Sequence, residues 1–136
     1  MEILKKKNIK VTPARKEILN IFLGSHEPMN AKDVFLKLNK HSSSKKLDEV
    51  TIYRNLTLFE GKGILKKVNL MKDSVYFESA LDHHHHMVCV KCGLIEDFHN
   101  NKFEKLVEDI VEGSSRFRKI KEHSLEIFGF CKKCFV

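Results

Sequence analysis

Three stretches in the first half of the chain carry apolar residues at helical spacing. In "VTPARKEILNIFLG", Thr12 stands as an N-cap and Pro13 at the first helical position; Ile18, Leu19 and Phe22 follow on one face, and Gly24 closes the helix. "NAKDVFLKLNK" repeats this grammar, with Asn30 as cap, Asp33 answering three residues later, and Val34, Phe35 and Leu38 as the stripe. After the polar stretch "KHSSSKK", "LDEVTIYRNLTLFEGKG" predicts a third helix capped by Asp48, with Ile52, Leu56 and Phe59 inside and Gly61 and Gly63 as stops. The period then changes to two. "ILKKVNLMKDSVYFES" alternates Val68 and Leu70, turns at Lys72-Asp73 and alternates Val75 and Phe77, which predicts a hairpin. Further on, "MVCVKCG" reads as a strand ending in a glycine turn. "NKFEKLVEDIVEG" is a helix whose stripe of Phe103, Leu106, Val107, Ile110 and Val111 is core or dimer contact, and "EHSLEIFGF" is a strand with His123, Leu125 and Ile127 on one face. The expected fold class is α+β: a winged helix-turn-helix domain over residues 1–80, then a small α/β domain over residues 81–136.

Charge supports this division. The chain has 136 residues and a net charge of +7. Residues 1–80 hold 16 Lys and Arg against 9 Asp and Glu, whereas residues 81–136 hold 9 of each, so all the excess positive charge lies in the first part. A basic helical module joined to a neutral, ligand-rich one suggests anion binding governed by metal; the bland alternative is a solvated lysine-rich surface. In a helix-turn-helix the later helix enters the major groove of double-stranded DNA, where Arg pairs with guanine and Tyr or Thr contacts a thymine methyl or a phosphate. Tyr53 and Arg54 are the leading candidates, with Thr51 and Asn55 on the same helix and Arg15 on the first. Against this, Tyr53 could be partly core and Arg54 only a solvated charge. No apolar run approaches the roughly 18 residues of a membrane span, and "MEILKKKNIK" has no secretory pattern, so a cytoplasmic protein with reduced thiols is expected.

Metal-ligand chemistry crowds the second part. Cys89-x-x-Cys92 and Cys131-x-x-Cys134 account for every cysteine, and two such knuckles complete a tetrahedral zinc site. A redox reading would need the motif at a helix N-terminus, whereas "MVCVKCG" reads as strand and turn. Four consecutive histidines cannot all serve one ion on a strand, because side chains alternate: His83 and His85 face one way, His84 and His86 the other. The run can therefore feed two sites, with Glu78, Asp97, Glu104 and His123 as the further donors; alone, His123 would read as a hydrogen-bonded core histidine. His41 and His99 read as surface residues.

The ordered set "VTPAR", "VTIYRNL", "HHHHMVCVKCGLIEDF", "EHSLEIFGFC" and "CKKC" resembles the ferric uptake regulator (Fur) family of repressors over essentially the whole chain. The resemblance implies a DNA-binding winged helix, a C-terminal dimerisation domain, palindromic AT-rich operators and three metal sites. Cys89, Cys92, Cys131 and Cys134 match the structural zinc site. Glu78, His84, His86 and Asp97 match the regulatory site, and His83, His85, Glu104 and His123 the accessory site. His85 stands where the family commonly has Asp, which makes the accessory site richer in nitrogen and more zinc-like. Pro28 occupies the register of a regulatory histidine, and His26 is the nearby substitute. Asp97 resembles the peroxide-sensing branch, and no spare cysteine exists for a zinc-uptake regulator, which points to Fe2+ or Mn2+ as the regulatory ion, replaceable by Zn2+ in vitro. The expectation is a metal-responsive, non-enzymatic, homodimeric repressor controlling metal homeostasis or peroxide-stress genes. The alternatives are a zinc-dependent hydrolase, which needs an open coordination position and a general base, and a metal buffer, which leaves the basic helices without purpose.

Overall fold

The computed structural model describes residues 1–41 and 47–135 and divides into two compact units, Met1–Asp82 and His83–Val136. Positions 42–46 of the polar stretch and the side chain of His41 lie outside the described residues.

In the first unit, α1 (Glu2–Lys6) is a short helix that the hydrophobic pattern does not announce, and it seats Leu4 in the core. Next come α2 (Pro13–Leu23), α3 (Ala31–His41) and α4 (Glu49–Gly61). Each starts at a side-chain cap that satisfies backbone N–H groups with no partner inside the helix. Thr12 Oγ1 accepts the Arg15 N–H at 3.2 Å. Asn30 and Asp33 cap reciprocally, the Asp33 N–H donating to Asn30 Oδ1 at 2.8 Å and the Asn30 N–H to Asp33 Oδ2 at 3.2 Å. Asp48 accepts the Thr51 N–H at 2.7 Å, and that bond holds its carboxyl below the ordinary aspartate range. The predicted stripes meet in one core: Ile18, Leu19 and Phe22 from α2, Val34 and Leu38 from α3, and Ile52, Leu56 and Phe59 from α4 are all buried.

Gly63, at φ +75°, turns the chain from α4 into β1 (Leu65–Val68), which pairs antiparallel with β2 (Tyr76–Ser79). The hairpin begins earlier than the alternation of Val68 and Leu70 suggests. Leu70 is buried from the connecting loop, Met71 takes a left-handed φ of 54°, and Val75 is exposed, so the strand register is set by Leu65 and Phe77 instead. Phe77 also exchanges two backbone hydrogen bonds with Met29, at 2.8 and 2.9 Å, which tie the α2–α3 connection to the wing.

The second unit is a three-stranded sheet of order β4-β3-β5, made from β3 (His85–Cys89), β4 (Ile95–Phe98) and β5 (Glu126–Gly129), with α5 (Asn101–Glu112) between the last two strands. β3 is central, antiparallel to β4 and parallel to β5. His123 and Leu125 precede β5, so the alternation expected from His123 onward starts three residues later. Asn100 caps α5 by accepting the Phe103 N–H at 3.0 Å. None of the α5 residues is buried within the chain, and Leu106 and Ile110 are exposed, so the stripe is not core of this unit.

The fold is therefore α+β, a winged helix-turn-helix followed by a small α/β unit. Among the described residues no helix is long and apolar enough to cross a membrane. Leu56→Ala should lower the stability of the first unit by about 2–5 kcal/mol, because it opens a cavity at the α4 contact. Val50→Ala, on the exposed side of the same helix, should stay within about 0.5 kcal/mol of the parent. Denaturant unfolding followed on the helical circular-dichroism signal checks both, and equal effects would contradict the placement of the core.

Candidate metal centres

The pairing of β3 with β5 sets Cys89 beside Gly129 and so delivers the two cysteine knuckles to one place. Gly93, at φ +81°, lets the chain turn tightly after Cys92. The Sγ atoms of Cys89, Cys92, Cys131 and Cys134 all lie within 4.8 Å of one another, and none forms a disulfide. Zinc–sulfur bonds of about 2.3 Å in a tetrahedron separate neighbouring sulfurs by about 3.8 Å; the Cys92 and Cys131 sulfurs stand 3.8 Å apart. The donor set fits zinc. Backbone N–H groups of Cys92 and Cys131 favour the Cys89 thiolate and bring its pKa down to about 6. The Cys134 N–H likewise lowers Cys131, whereas Cys134, hydrogen-bonded to the Cys131 sulfur, is pushed up to about 12. Four sulfurs so close cannot all ionise by themselves; a divalent cation bound among them would take the place of their protons.

A second cluster forms on one side of β3. Glu104, in the first turn of α5, reaches back to the histidine run: its Oε2 lies 3.0 Å from His83 Nε2 and 2.6 Å from His123 Nε2, and its Oε1 lies 2.7 Å from His85 Nε2. His83 and His123 face each other through Nε2 atoms 3.1 Å apart. Burial opposes ionisation of Glu104, but the hydrogen bonds to His85, His83 and His123 outweigh it and hold the carboxyl at about 2. His85 is lowered, chiefly because burial penalises its charged form. Phe103 packs edge-on against the His85 ring at 5.1 Å, fixing α5 to the strand. The site thus gathers His83, His85, Glu104 and His123 as imidazole and carboxylate donors, a set that suits exchangeable divalent ions.

His84 and His86 take the opposite side, as the alternation requires, with ring centroids 4.9 Å apart. His86 is buried, and its register partner on β4 is Asp97, which is exposed. Directly opposed residues of an antiparallel pair share a face, so Asp97 stands on the His86 side, although its carboxylate is not gathered into either histidine cluster. Glu78 is buried in β2, where the hairpin register sets it opposite Lys66, whose Nζ is 3.3 Å from Glu78 Oε1. Pro28 is buried, and His26 pairs with Asp82, Nδ1 to Oδ2, at 3.4 Å. His99 is exposed, 6.3 Å edge-on from His83.

On α4, Arg54 and Tyr53 are exposed, Tyr53 keeping an edge contact of 6.3 Å with Phe77. Arg15, Asn55 and Thr51 form one network: Arg15 Nε donates to Asn55 Oδ1 at 3.0 Å, Asn55 Nδ2 to the Thr51 carbonyl at 2.9 Å, and Arg15 Nη1 to the Lys10 carbonyl at 2.8 Å. This braces α2 against α4. The Lys66–Glu78 pair, the Arg15–Asn55 brace and the seat of Phe103 escape sequence reasoning; only the first leaves a trace in the sequence, through the hairpin register.

Fold and site together define a metal-binding winged-helix protein with a separate ligand-rich unit. The sequence profile of the Ferric uptake regulator family matches residues 6–128, and the chain belongs to that family, whose members regulate transcription and bind DNA and metal ions. Over 133 residues it is 37% identical to the ferric uptake regulation protein of Neisseria meningitidis serogroup A, covering 96% of this chain and 90% of that one. It is 31% identical over 131 residues to the peroxide-responsive repressor PerR of Staphylococcus epidermidis, covering 96% and 85%. Among solved structures, the ferric uptake regulator of Pseudomonas aeruginosa with manganese aligns with a TM-score of 0.82 at 31% identity, covering 97% of each chain.

Cys131→Ser should remove the tightly held zinc and lower the melting temperature, since binding energy at such a site is folding energy. Glu104→Gln should leave that zinc in place. Zinc content and thermal melts of the two variants check this, and equal zinc loss in both would contradict the separation of the centres.

Proposed function

We propose that the chain is a metal-responsive transcriptional repressor that binds a two-fold DNA operator as a homodimer when its regulatory ion is present. Cys89, Cys92, Cys131 and Cys134 hold a structural Zn2+. Glu78, His84, His86 and Asp97 hold the regulatory ion, Fe2+ or Mn2+, and the cluster around Glu104 holds an accessory one. The observation that supports this reading is the division of labour along β3, where Cys89 joins a cluster of four thiols, His85 turns toward the Glu104 cluster, and His86 turns with His84 to the opposite side. Closed thiolate sites retain zinc, whereas oxygen and nitrogen donors exchange their ions and so can report concentration. An ion switches the protein through its different affinity for the DNA-competent and incompetent arrangements.

Tyr53 and Arg54 contact the major groove, with Arg15, Thr51 and Asn55 completing the DNA face. The apolar stripe of α5, with Leu106 and Ile110 exposed, packs on a second copy, and a two-fold dimer calls for an inverted repeat. A cytoplasmic location accords with four cysteines offered to a metal rather than to disulfides. Neither a zinc hydrolase nor a metal buffer accounts for the basic winged helix. A peroxide-sensing variant of the same function is favoured by the pairing of Asp97 with His86: ferrous iron held there would bring peroxide chemistry to a histidine ligand.

Fluorescence anisotropy with operator-selected DNA tests this reading. Binding should require added Mn2+ or Fe2+ and weaken steeply with salt. His86→Ala should remain a zinc-containing dimer that fails to bind at parental metal concentrations, and Arg54→Ala should lose about 1–3 kcal/mol. Metal-independent binding by the parent would overturn the proposal. For the peroxide variant, brief exposure of the iron-loaded protein should add oxygen to His84 or His86 in peptide mass spectra and release DNA; unchanged mass with DNA retained leaves plain metal sensing.

A further inference from the structure

His85 is set apart from the other members of the Glu104 cluster by its second nitrogen. The Leu125 backbone N–H donates to His85 Nδ1 at 3.2 Å. A neutral imidazole carries one proton, so an Nδ1 that accepts leaves Nε2 as the N–H that donates to Glu104 Oε1 at 2.7 Å. A metal bound at Nε2 would force that proton onto Nδ1, where it would confront the Leu125 N–H, two donors with no acceptor between them. The clash is hard to relieve. His85 is 1% exposed, Phe98 and Phe103 pack against its ring at 5.6 and 5.1 Å, and the Leu125 peptide immediately precedes β5.

The other three residues have the opposite character. His83 Nε2, His123 Nε2 and Glu104 Oε2 form a triangle with edges of 3.1, 3.0 and 2.6 Å. Donors about 2.1 Å from one ion stand about 3.0 Å apart on an octahedral face and about 3.4 Å apart in a tetrahedron. Two edges match an octahedral face and the third, a His–carboxylate ion pair in the metal-free chain, is shorter, so the triangle fits an octahedral face more closely than a tetrahedral one; His83 is exposed, on the side where further positions would meet solvent.

Resting on the accessory site of the preceding section, we propose that His85 is not a ligand of that site but the positioning residue of Glu104, leaving a three-donor site of His83, His123 and Glu104 that takes a hydrated, octahedral divalent cation. Histidine at this position then does not make the site more zinc-like, as its nitrogen count suggests. It orients Glu104 through Oε1 so that Oε2 faces the ion, as an outer-shell partner does.

The test is residue-assigned nitrogen-15 NMR of the histidine rings in the full chain, titrated with Zn2+ as a diamagnetic probe against a competing chelator. On loading, the Nε2 signals of His83 and His123 should take metal-bound shifts while His85 keeps Nε2–H. The titration read at His83 should give about parental affinity for His85→Gln, whose amide N–H can still donate to Glu104. His85→Leu should weaken it roughly ten- to a hundredfold. If the His85 Nε2 signal becomes metal-bound, or Gln and Leu prove equally damaging, His85 is a ligand and this inference falls alone. If neither the His83 nor the His123 ring responds to zinc, the accessory site falls with it.

Discussion

The second unit has almost no apolar interior, and the rest of the structure depends on how that is remedied. Its buried residues are His85, His86, Val88 and Cys89, all on β3. Within one chain, so small a unit cannot offset its conformational entropy by burying hydrocarbon alone. In the reading proposed above, four thiolates converging on one zinc supply what burial within a single chain does not, with an apparent binding energy of about 10–16 kcal/mol for structural zinc sites. That closure would join the turn after β3 to the turn after β5, and so hold the parallel pairing of the two strands.

The same strand sets the chemistry of both histidine centres. Because side chains alternate, β3 and the residue before it send His84 and His86 one way and His85 the other, with His83 beside His85. A one-residue slip in the β3–β5 register would carry each histidine to the wrong side. Loaded with zinc, the thiolate cluster would thus be both a staple and the device that fixes the register of the proposed exchangeable sites. The first unit needs no such help: its three helical stripes and Phe77 form an ordinary apolar core.

Much of this was legible in the sequence, for identifiable reasons. Caps at Thr12, Asn30 and Asp48, stripes at helical spacing, and paired Cys-x-x-Cys motifs are local signals, and each appears in the structure where its spacing predicts. Helix α1 went unseen because five residues are too few to display a period. The start of the hairpin was misread because Leu70 is buried from a loop, which mimics strand alternation. The parallel pairing of β3 with β5 is a long-range event with no local marker, and the Leu125 N–H on His85 follows from it. Residue type alone counts His85 as one more nitrogen ligand; only the tertiary donor pattern argues otherwise.

The central claim is that thiolate-bound zinc holds the second unit folded and in register, while the exchangeable ions act on a unit already formed. Amide hydrogen exchange of the full chain, compared between protein treated with a mild chelator that leaves one zinc per chain and protein stripped of all metal, tests it most directly. The account predicts that mild treatment preserves protection across β3 and β5, and that stripping abolishes it there while Ile52, Leu56 and Phe59 of α4 stay protected. Protection of β3 and β5 that survives complete removal of zinc would contradict it.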